Sequence, residues 1–147
     1  MQILVSESKL SSIILIKVKK SKKHPVIKVE SYGRYSKWER GSRELPKIKE
    51  FTTTIKSTEG NEFGMILHIS GGKGAKINYC IKHPPFKDKN GNIEPDFIGQ
   101  VIVPSNNYQF YIGDCIWLPV EDKAGTWEVI VESEGKLFAS KKFDIIL

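Results

Sequence analysis

Alternation of apolar and polar residues is the feature of this sequence that most restricts its fold. In the closing stretch, Trp127, Val129 and Val131 occupy alternate positions, with Glu128 on the opposite side of the period. A period of two places successive side chains on opposite faces of a β-strand. Gly135 lies in the short polar segment that follows, and a residue without a Cβ can take the positive φ of a tight turn. The stretch therefore predicts a terminal β-hairpin that buries its Trp127 face.

Segments with the same period, rich in β-branched residues, recur before this hairpin. We expect strands over residues 26–35, 47–55, 63–70, 76–82, 98–103, 108–112 and 115–120. No window of about 11 residues or more has a convincing helical period. Eight or nine short strands at regular spacing indicate an all-β fold, an antiparallel sandwich or barrel, and of the two we expect a β-sandwich.

The same alternation predicts the core and the domain limits. A chain of 147 residues is long enough to bury such a core within a single domain. We place the β-sandwich at residues 26–147, and we place an N-terminal strand, over residues 12–19, and a basic connector within residues 1–25. The expected core comprises Ile48, Phe51, Ile55, Phe63, Met65, Leu67, Ile69, Ile77, Tyr79, Val101, Trp127, Val129 and Phe143.

The net charge of +6 comes mainly from lysine, because the chain has no arginines other than Arg34, Arg40 and Arg43. Arginine dominates bidentate contacts to phosphates and base edges, so charge based on lysine indicates a less specific attraction to acidic partners. The basic connector contains Lys22 and Lys23. We interpret it as an exposed loop whose charge discourages edge pairing, with an anionic contact as the alternative.

Cysteine usage and apolar runs bear on the compartment. Cys80 and Cys115 are too few and too widely spaced for a disulfide framework, so we expect buried, reduced thiols inside strands. The apolar run at residues 13–16 precedes its lysines, which is the reverse of a signal peptide. No segment approaches the roughly 20 apolar residues of a membrane helix. We therefore expect an intact cytoplasmic chain with no membrane partner.

Two stretches resemble ligand-binding motifs but fail at decisive positions. In residues 71–74, Lys73 is followed by glycine where a P-loop requires Ser or Thr and then a helix, so we expect a hairpin turn. The segment from Asp88 has oxygen ligands at alternate positions, but Ile93 and Gly99 stand where a calcium loop requires glycine and glutamate. A weak cation site is the alternative there. We predict no metal site and no cofactor.

The loop at residues 36–46 loses the strand period and holds an aromatic residue beside two arginines. Such a group can stack on bases or hold a carboxylate, whereas a loop pinned by one buried ring is the simpler interpretation. His83 precedes two prolines at the expected end of a strand, where its ring can meet solvent or a ligand. The candidate binding residues are Trp38, Arg40, Arg43, His83, Lys22 and Lys23.

No catalytic motif accompanies these residues. Ser105, His83 and Asp114 are the residue types of a nucleophile triad, but no sequence feature links them. The chain lacks a Gly-x-Ser-x-Gly elbow and a His-Glu-x-x-His helix. We expect a protein without enzymatic activity, and a weak hydrolase that uses His83 with Asp88 or Asp114 is an alternative.

Several short motifs occur in an order that resembles a known family. They are Tyr32-Gly33-Arg34-Tyr35, His83-Pro84-Pro85, Trp117-Leu118-Pro119 and Gly125-Thr126-Trp127-Glu128-Val129. From about Val29 to Ile146 the chain resembles small bacterial proteins catalogued as domain of unknown function 3859. Residues 120–124 depart from the family, whose members tend to have a shorter approach ending in Pro-Gly. The resemblance implies a compact β domain with no established activity. The Gly-Thr-Trp motif is also similar to the last strands of immunoglobulin-like modules, which implies an immunoglobulin-like sandwich.

The leading functional hypothesis is a non-catalytic protein-binding or accessory module. Such a module would meet another protein through its loops or through an exposed edge strand. The first alternative is a basic protein that binds nucleic acid or another anion, for which clustered charge would be needed; the second is the weak hydrolase. The expected partner is another protein rather than nucleic acid, and the expected state is a monomer or a weak homodimer.

Overall fold

The computed structural model describes residues 25–147, which form nine β-strands and one 3-10 turn. The strands are β1 Val26–Tyr35, β2 Ile48–Glu50, β3 Thr54–Lys56, β4 Glu62–Ser70, β5 Lys76–Lys82, β6 Phe97–Ile102, β7 Asn107–Cys115, β8 Gly125–Ser133 and β9 Lys136–Ile146. The predicted strand at residues 12–19 and the connector with Lys22 and Lys23 lie outside the described residues.

The strands form two sheets that face each other. One sheet has the order β2-β1-β4-β7 and the other has the order β3-β9-β8-β5-β6. Every pairing is antiparallel except that of β3, which runs parallel to β9. The predicted all-β sandwich is therefore confirmed, with one parallel pair that the sequence did not indicate. Between Pro25 and Leu147 there is no helix long and apolar enough to cross a membrane.

The terminal hairpin forms the centre of the core. Trp127 lies opposite Phe143 in the register of β8 and β9, and both side chains are fully buried. Phe63 of the facing sheet contacts both rings, with centroid distances of 5.3 and 5.5 Å. The indole N–H of Trp127 donates to the carbonyl oxygen of Lys123 at 2.8 Å, so its polar atom is also satisfied inside the core. The predicted burial of the Trp127 face is confirmed.

The hairpin turn has the backbone that two-residue connections require. Glu134 and Gly135 have φ values of 52° and 77°, and two consecutive positive φ values match the twist of the flanking strands. Gly135 was expected to take such a value. Glu134 does so with a side chain, which is uncommon outside glycine and asparagine-like residues.

The expected single strand at residues 47–55 is wrong in one respect, because the chain changes sheets within it. β2 pairs with β1 in one sheet, and β3 pairs with β9 in the other. Between them Thr52 turns the backbone, since its hydroxyl accepts from the amide of Thr54 at 3.0 Å. Phe51 lies in this crossover and is 67% exposed, so its predicted place in the core is wrong.

The other predicted core residues are buried or partly buried. Tyr79 and Val101 pack against the main core from its margin, and Ile48 packs against a separate cluster formed by Tyr35, Ile66 and Tyr111. Two sheets with alternating strands thus produce a main core between them and a smaller apolar cluster elsewhere.

The expected strand at residues 115–120 is also wrong beyond its start. β7 ends at Cys115. The next residue, Ile116, donates a last backbone hydrogen bond to the carbonyl oxygen of Asn61, just before β4, at 2.9 Å. The Leu118–Pro119 peptide bond is cis, and a 3-10 turn follows at Glu121–Lys123. Proline has no N–H for a sheet ladder, so the strand period could not continue through this segment.

Candidate functional site

One edge of the four-stranded sheet leaves backbone groups unpaired. Gly71 donates to Asn106, and Ile116 donates to Asn61, both at 2.9 Å, on the register that joins β4 and β7. Because antiparallel hydrogen bonding alternates along a strand, the even-numbered residues of β7 bond to β4. The odd-numbered residues Gln109, Tyr111 and Gly113 therefore direct their N–H and C=O groups away from the sheet. Within the described residues, β7 has no strand on that side.

The loop at residues 36–46 stands beside this edge and is held in a fixed shape. Its two ends are joined by hydrogen bonds from the amide of Ser36 to the Lys47 carbonyl, at 2.7 Å, and from the amide of Lys47 to the Ser36 hydroxyl, at 2.9 Å. The indole N–H of Trp38 donates to the Glu44 carbonyl at 2.6 Å. The Trp38 ring meets the Tyr111 ring edge to face at 5.1 Å, which fixes the loop to β7.

A groove of about 750 Å³ lies between this loop and the adjacent edges of the two sheets. Its lining comes from the loop, from β5 and β6, and from β7, and is mostly aromatic or uncharged. Its lining residues include Trp38, Arg40, Arg43, Tyr79, Val101 and Phe110. Arg40 and Arg43 are its charged residues, and no carboxylate of the described chain lines it.

Under the loop, a buried carboxylate holds Arg40. Glu62, at the start of β4, is only 1% exposed. One guanidinium nitrogen of Arg40 lies 2.8 Å from both oxygens of Glu62 and 3.9 Å from Asp114. The hydroxyl of Tyr111 donates to Glu62 at 2.5 Å and also lies 3.0 Å from the Phe63 carbonyl oxygen. Glu62 is therefore both charge-paired and hydrogen-bonded, as a buried carboxylate requires.

Burial changes the proton affinity of the groups around Glu62. Burial raises the pKa of Tyr111 well above its usual range, and the adjacent Glu62 raises it further, so the phenol remains a donor. Burial also raises the pKa of Asp114, against the opposing effects of the Cys115 amide and Arg40. For Arg40, burial alone would lower the pKa, but the hydrogen bond and charge of Glu62 outweigh it and raise the pKa. Arg40 thus stays a cation.

Two glycines make room for the tyrosine rings at the edges of the groove. A Cβ on Gly113 would lie 2.3 Å from the Tyr111 hydroxyl oxygen and 2.1 Å from the Phe63 carbonyl oxygen. A Cβ on Gly99, the cross-strand partner of Tyr79, would lie 2.1 Å from the Tyr79 hydroxyl oxygen. In both places a ring lies across a residue with no side chain. The Tyr79 ring then reaches the Phe110 ring of the opposite sheet, with centroids 6.0 Å apart.

His83 lies in a different part of the molecule from this groove. Its ring stacks on Phe86 at 4.3 Å and contacts Trp127 at 5.6 Å. Its two ring nitrogens lie 2.7 and 2.8 Å from the carbonyl oxygens of Pro84 and Pro95. The structure therefore brings Trp38, Arg40 and Arg43 to one groove and leaves His83 out of it.

Ser105, His83 and Asp114, the residue types of a nucleophile triad, have separate hydrogen-bond partners. The hydroxyl of Ser105 donates to the Asn107 carbonyl at 3.0 Å, and Asp114 accepts from the Cys115 amide at 2.8 Å. No hydrogen bond joins either residue to His83 among residues 25–147. In this structure the three side chains hold their local backbone.

An aromatic cluster that no sequence motif indicated encloses Lys123. This lysine is 1% exposed, and its ammonium lies 4.6 Å from the Trp117 ring centroid and 4.8 Å from that of Phe86. It donates to the Pro119 carbonyl at 3.0 Å and also to Asp122. A desolvated ammonium over two rings is a favourable cation–π arrangement. The cluster fixes the segment between β7 and β8.

The two motif-like stretches form turns, but the hairpin expected at residues 71–74 is wrong, because this segment joins β4 of one sheet to β5 of the other. In residues 71–75, the amides of Gly71, Lys73, Gly74 and Ala75 all donate within the protein, so they do not form an open phosphate cradle. Asp88 accepts from the amides of Asn90 and Asn92, at 2.8 and 3.0 Å, and thereby closes its own turn. No group of three or more potential metal ligands occurs among the described residues.

Comparison with known proteins assigns the chain to a family. Residues 23–145 match the family described as "Domain of unknown function (DUF3859)", which is most of the sequence. The chain belongs to this family. Among solved structures, an immunoglobulin-like protein from Pseudomonas aeruginosa is similar, with a TM-score of 0.63, 20% identity, and coverage of 81% of this chain and 95% of that one. This similarity shows the immunoglobulin-like fold.

A second structure is more distant. The alkylpurine DNA glycosylase AlkC from Pseudomonas fluorescens, bound to DNA containing an abasic site analog, has a TM-score of 0.42 and 11% identity. The alignment covers 83% of the DUF3859 chain and 31% of the glycosylase. The search of curated proteins finds no match.

Proposed function

We propose that this DUF3859 protein is a non-catalytic protein-binding module and that the groove beside β7 takes an extended segment of another protein. The observation that carries the proposal is the placement of Trp38, Arg40 and Arg43 next to unpaired backbone of β7. A free strand edge supplies main-chain hydrogen bonds, and adjacent side chains supply selectivity, which is a common mode of peptide recognition.

The composition of the groove supports a protein partner. Tryptophan, tyrosine and arginine are the residues most enriched at the energetic centres of protein interfaces. Here they are also held in place before binding, because Trp38 is bonded to Glu44 and Arg40 to Glu62. Side chains that are already ordered lose less conformational entropy when a partner binds.

The alternative functions gain less from the geometry. In the basic anion-binding hypothesis, Arg34 lies 3.5 Å from Glu50 and Arg40 lies 2.8 Å from Glu62, so each already has a carboxylate nearby. In the hydrolase hypothesis, the nitrogens of His83 lie against two carbonyl oxygens and Asp88 closes a turn. The structure adds no support to either hypothesis, and both stay predictions.

Site-specific crosslinking tests the proposal. A photoreactive amino acid replaces Gln109, which is exposed beside the groove, or Lys142 of β9, which is exposed on the other sheet and serves as the control. We expect one protein of the host to crosslink from position 109 and not from position 142. After identification by mass spectrometry, the purified partner should bind the wild-type chain and should bind Arg43→Glu at least about tenfold more weakly, a loss of about 1.4 kcal/mol.

Two results would contradict the proposal. The first is equal crosslinking from both positions. The second is a purified partner whose affinity does not change in Arg43→Glu. Arg43 suits the substitution because it is exposed and forms no ion pair within residues 25–147, so its replacement should leave the fold intact.

A further inference from the structure

We infer that the bound segment adds to β7 as a further strand and that its residues alternate between apolar side chains and carboxylates. This inference rests on the proposed function, because it specifies the partner of the same groove. The unpaired backbone of β7, the two different surfaces beside it and the charge of the groove support it.

The backbone of β7 offers three consecutive docking positions. Gln109, Tyr111 and Gly113 direct N–H and C=O groups outward, and none has a backbone partner within residues 25–147. By contrast, the outward amide of Cys115 already donates to Asp114, and the outward carbonyl of Asn107 already accepts from Ser105. A strand that pairs with the three free positions gains up to six hydrogen bonds, two per position. The free stretch therefore suits an extended segment of about five residues.

The side chains of an added strand would face two different surfaces in turn. On the inner side of β7, Phe110 lies opposite the fully buried Leu67 and approaches Tyr79 of the other sheet. Val101 lines the same side of the groove and is only partly buried. Residues of the partner that point this way would extend the core, so they should be apolar or aromatic.

On the outer side of β7, the surface is formed by the loop. Trp38 and Arg40 lie over Tyr111 and Glu62, and Arg43 is exposed beside them. Arg40 is already paired with Glu62, so Arg43 is the cation that can accept a new carboxylate. Because no carboxylate of the described residues lines the groove, an acidic residue of the partner would meet attraction there and a basic residue would not.

The same charge argues against other occupants of the β7 edge. A second copy of the chain carries a net charge of +6 and would bring more positive charge to the groove. The β2 and β3 edges are three residues long and contain lysine, which discourages strand addition. Within residues 25–147, β6 is a free edge that exposes Ile98 and Ile102, but it has no charged residue to select an acidic segment.

A peptide library and amide exchange test the inference on the full chain. Random ten-residue peptides are displayed and selected for binding, and the selected peptide is then added to isotope-labelled protein. We expect selected peptides to alternate apolar and acidic residues. We also expect the amides of Gln109, Tyr111 and Gly113 to exchange freely in the free protein and to become protected in the complex.

Proline substitution separates strand addition from other binding. In Gln109→Pro the lost N–H points outward, so the ladder to β4 stays intact while strand addition is blocked. The substitution also removes the exposed hydrogen bond from the Gln109 side chain to Glu30. Ile98→Pro is the matched control, because the bond from Val103 to Ala75 places the Ile98 amide on the outward side of β6. We expect Gln109→Pro to weaken peptide binding at least about tenfold and Ile98→Pro to leave it unchanged.

The outcomes distinguish this inference from the proposed function. One result would overturn strand addition but leave the groove as the binding site. In that result, Arg43→Glu weakens binding, Gln109→Pro does not, and the three amides are not protected. Selected peptides without acidic residues would overturn the stated partner chemistry. Amides protected already in the free chain would show an occupied edge and would also overturn it. Protection on β6 instead, together with no effect of Arg43→Glu, would overturn both.

Discussion

The carboxylate of Glu62 has almost no contact with water. Its charge is balanced by Arg40, whose own side chain is 44% exposed. The two partners therefore depend on each other unequally. Without Arg40, a buried carboxylate remains with only Tyr111 as a donor; without the carboxylate, Arg40 can turn toward water.

This inequality predicts different costs for the two single substitutions. Arg40→Met should lower the free energy of unfolding by about 3–5 kcal/mol, because it leaves a buried charge unpaired. Glu62→Gln should cost only about 1–3 kcal/mol, since the amide oxygen can still accept from Tyr111 and Arg40 can be solvated. Urea denaturation of both variants measures the difference. Equal losses would contradict the unequal dependence, and Arg43→Met is the control for loss of a guanidinium from an exposed position of the same loop.

Asp114 predicts a pH dependence of stability. Its pKa in the folded protein is raised above the unfolded value, chiefly by burial, so the folded state binds the proton more tightly. The ionised carboxylate therefore weakens the folded state above the raised pKa, and this penalty disappears as the pH falls through it. Asp114→Asn should be more stable than the wild type at about pH 8, and the difference should shrink toward about pH 4. Denaturation at a series of pH values measures this.

The control for Asp114 is a carboxylate on the surface. Asp144→Asn removes an exposed carboxylate of β9, where water already solvates the charge. It should not show the gain at high pH that Asp114→Asn shows. If Asp114→Asn is less stable than the wild type at about pH 8, the attraction to Arg40 outweighs the cost of burial and the argument fails.

On each of the two strand edges beside the groove, β6 and β7, a tyrosine ring lies across a glycine. The two glycines differ in the atoms that an added Cβ would contact. At Gly99 the three atoms nearest to an added Cβ all belong to the hydroxyl end of the Tyr79 ring, which can swing away. At Gly113 it meets the Tyr111 hydroxyl and also the backbone carbonyl of Phe63, which cannot move without disturbing β4.

Alanine at these two glycines should therefore have different effects. Gly99→Ala should cost about 1 kcal/mol of unfolding free energy, and Gly113→Ala about 3 kcal/mol, because the second forces the backbones apart. Gly99→Ala should also move the Tyr79 ring away from Phe110 and open the groove, which a crystal structure or ring nuclear Overhauser effects would show. Equal costs, or an unmoved Tyr79 ring in Gly99→Ala, would contradict this account of the edges.

Strand by strand, local pattern was sufficient to locate elements and insufficient to assign them to sheets. Residues 76–82 were predicted as a strand, and β5 spans those residues. Residues 47–55 alternate as one strand does, yet β2 and β3 belong to different sheets. The period of two reports which side a residue faces but not which neighbour its backbone bonds to. That choice depends on partners distant in sequence, such as Glu50 opposite Arg34 and Thr54 opposite Asp144.

For the candidate site too, the sequence pattern located some residues but not the contacts between distant parts of the chain. Trp38, Arg40 and Arg43 were found because the loop lost its period and kept an aromatic residue beside two arginines. Glu62 was missed because it follows a turn and precedes the apolar Phe63, a pattern typical of an exposed strand end. Only the folded chain shows that the loop covers it. His83 was expected to meet solvent or a ligand, and this stays a prediction. Its half-buried ring contacts two phenylalanine rings, and its nitrogens lie near two carbonyl oxygens.

For the molecule as a whole, stability should depend on where an aromatic ring lies rather than on its size. Trp127 is fully buried between the sheets and Phe51 is 67% exposed in the crossover, although alternation predicted both for the core. Trp127→Ala should lower the free energy of unfolding by about 3–5 kcal/mol through the cavity it leaves. Phe51→Ser should change it by no more than about 0.5 kcal/mol. Urea denaturation followed by circular dichroism measures both. If Phe51→Ser proves as destabilising as Trp127→Ala, the crossover must bury Phe51 in solution, and the separation of β2 from β3 would be wrong.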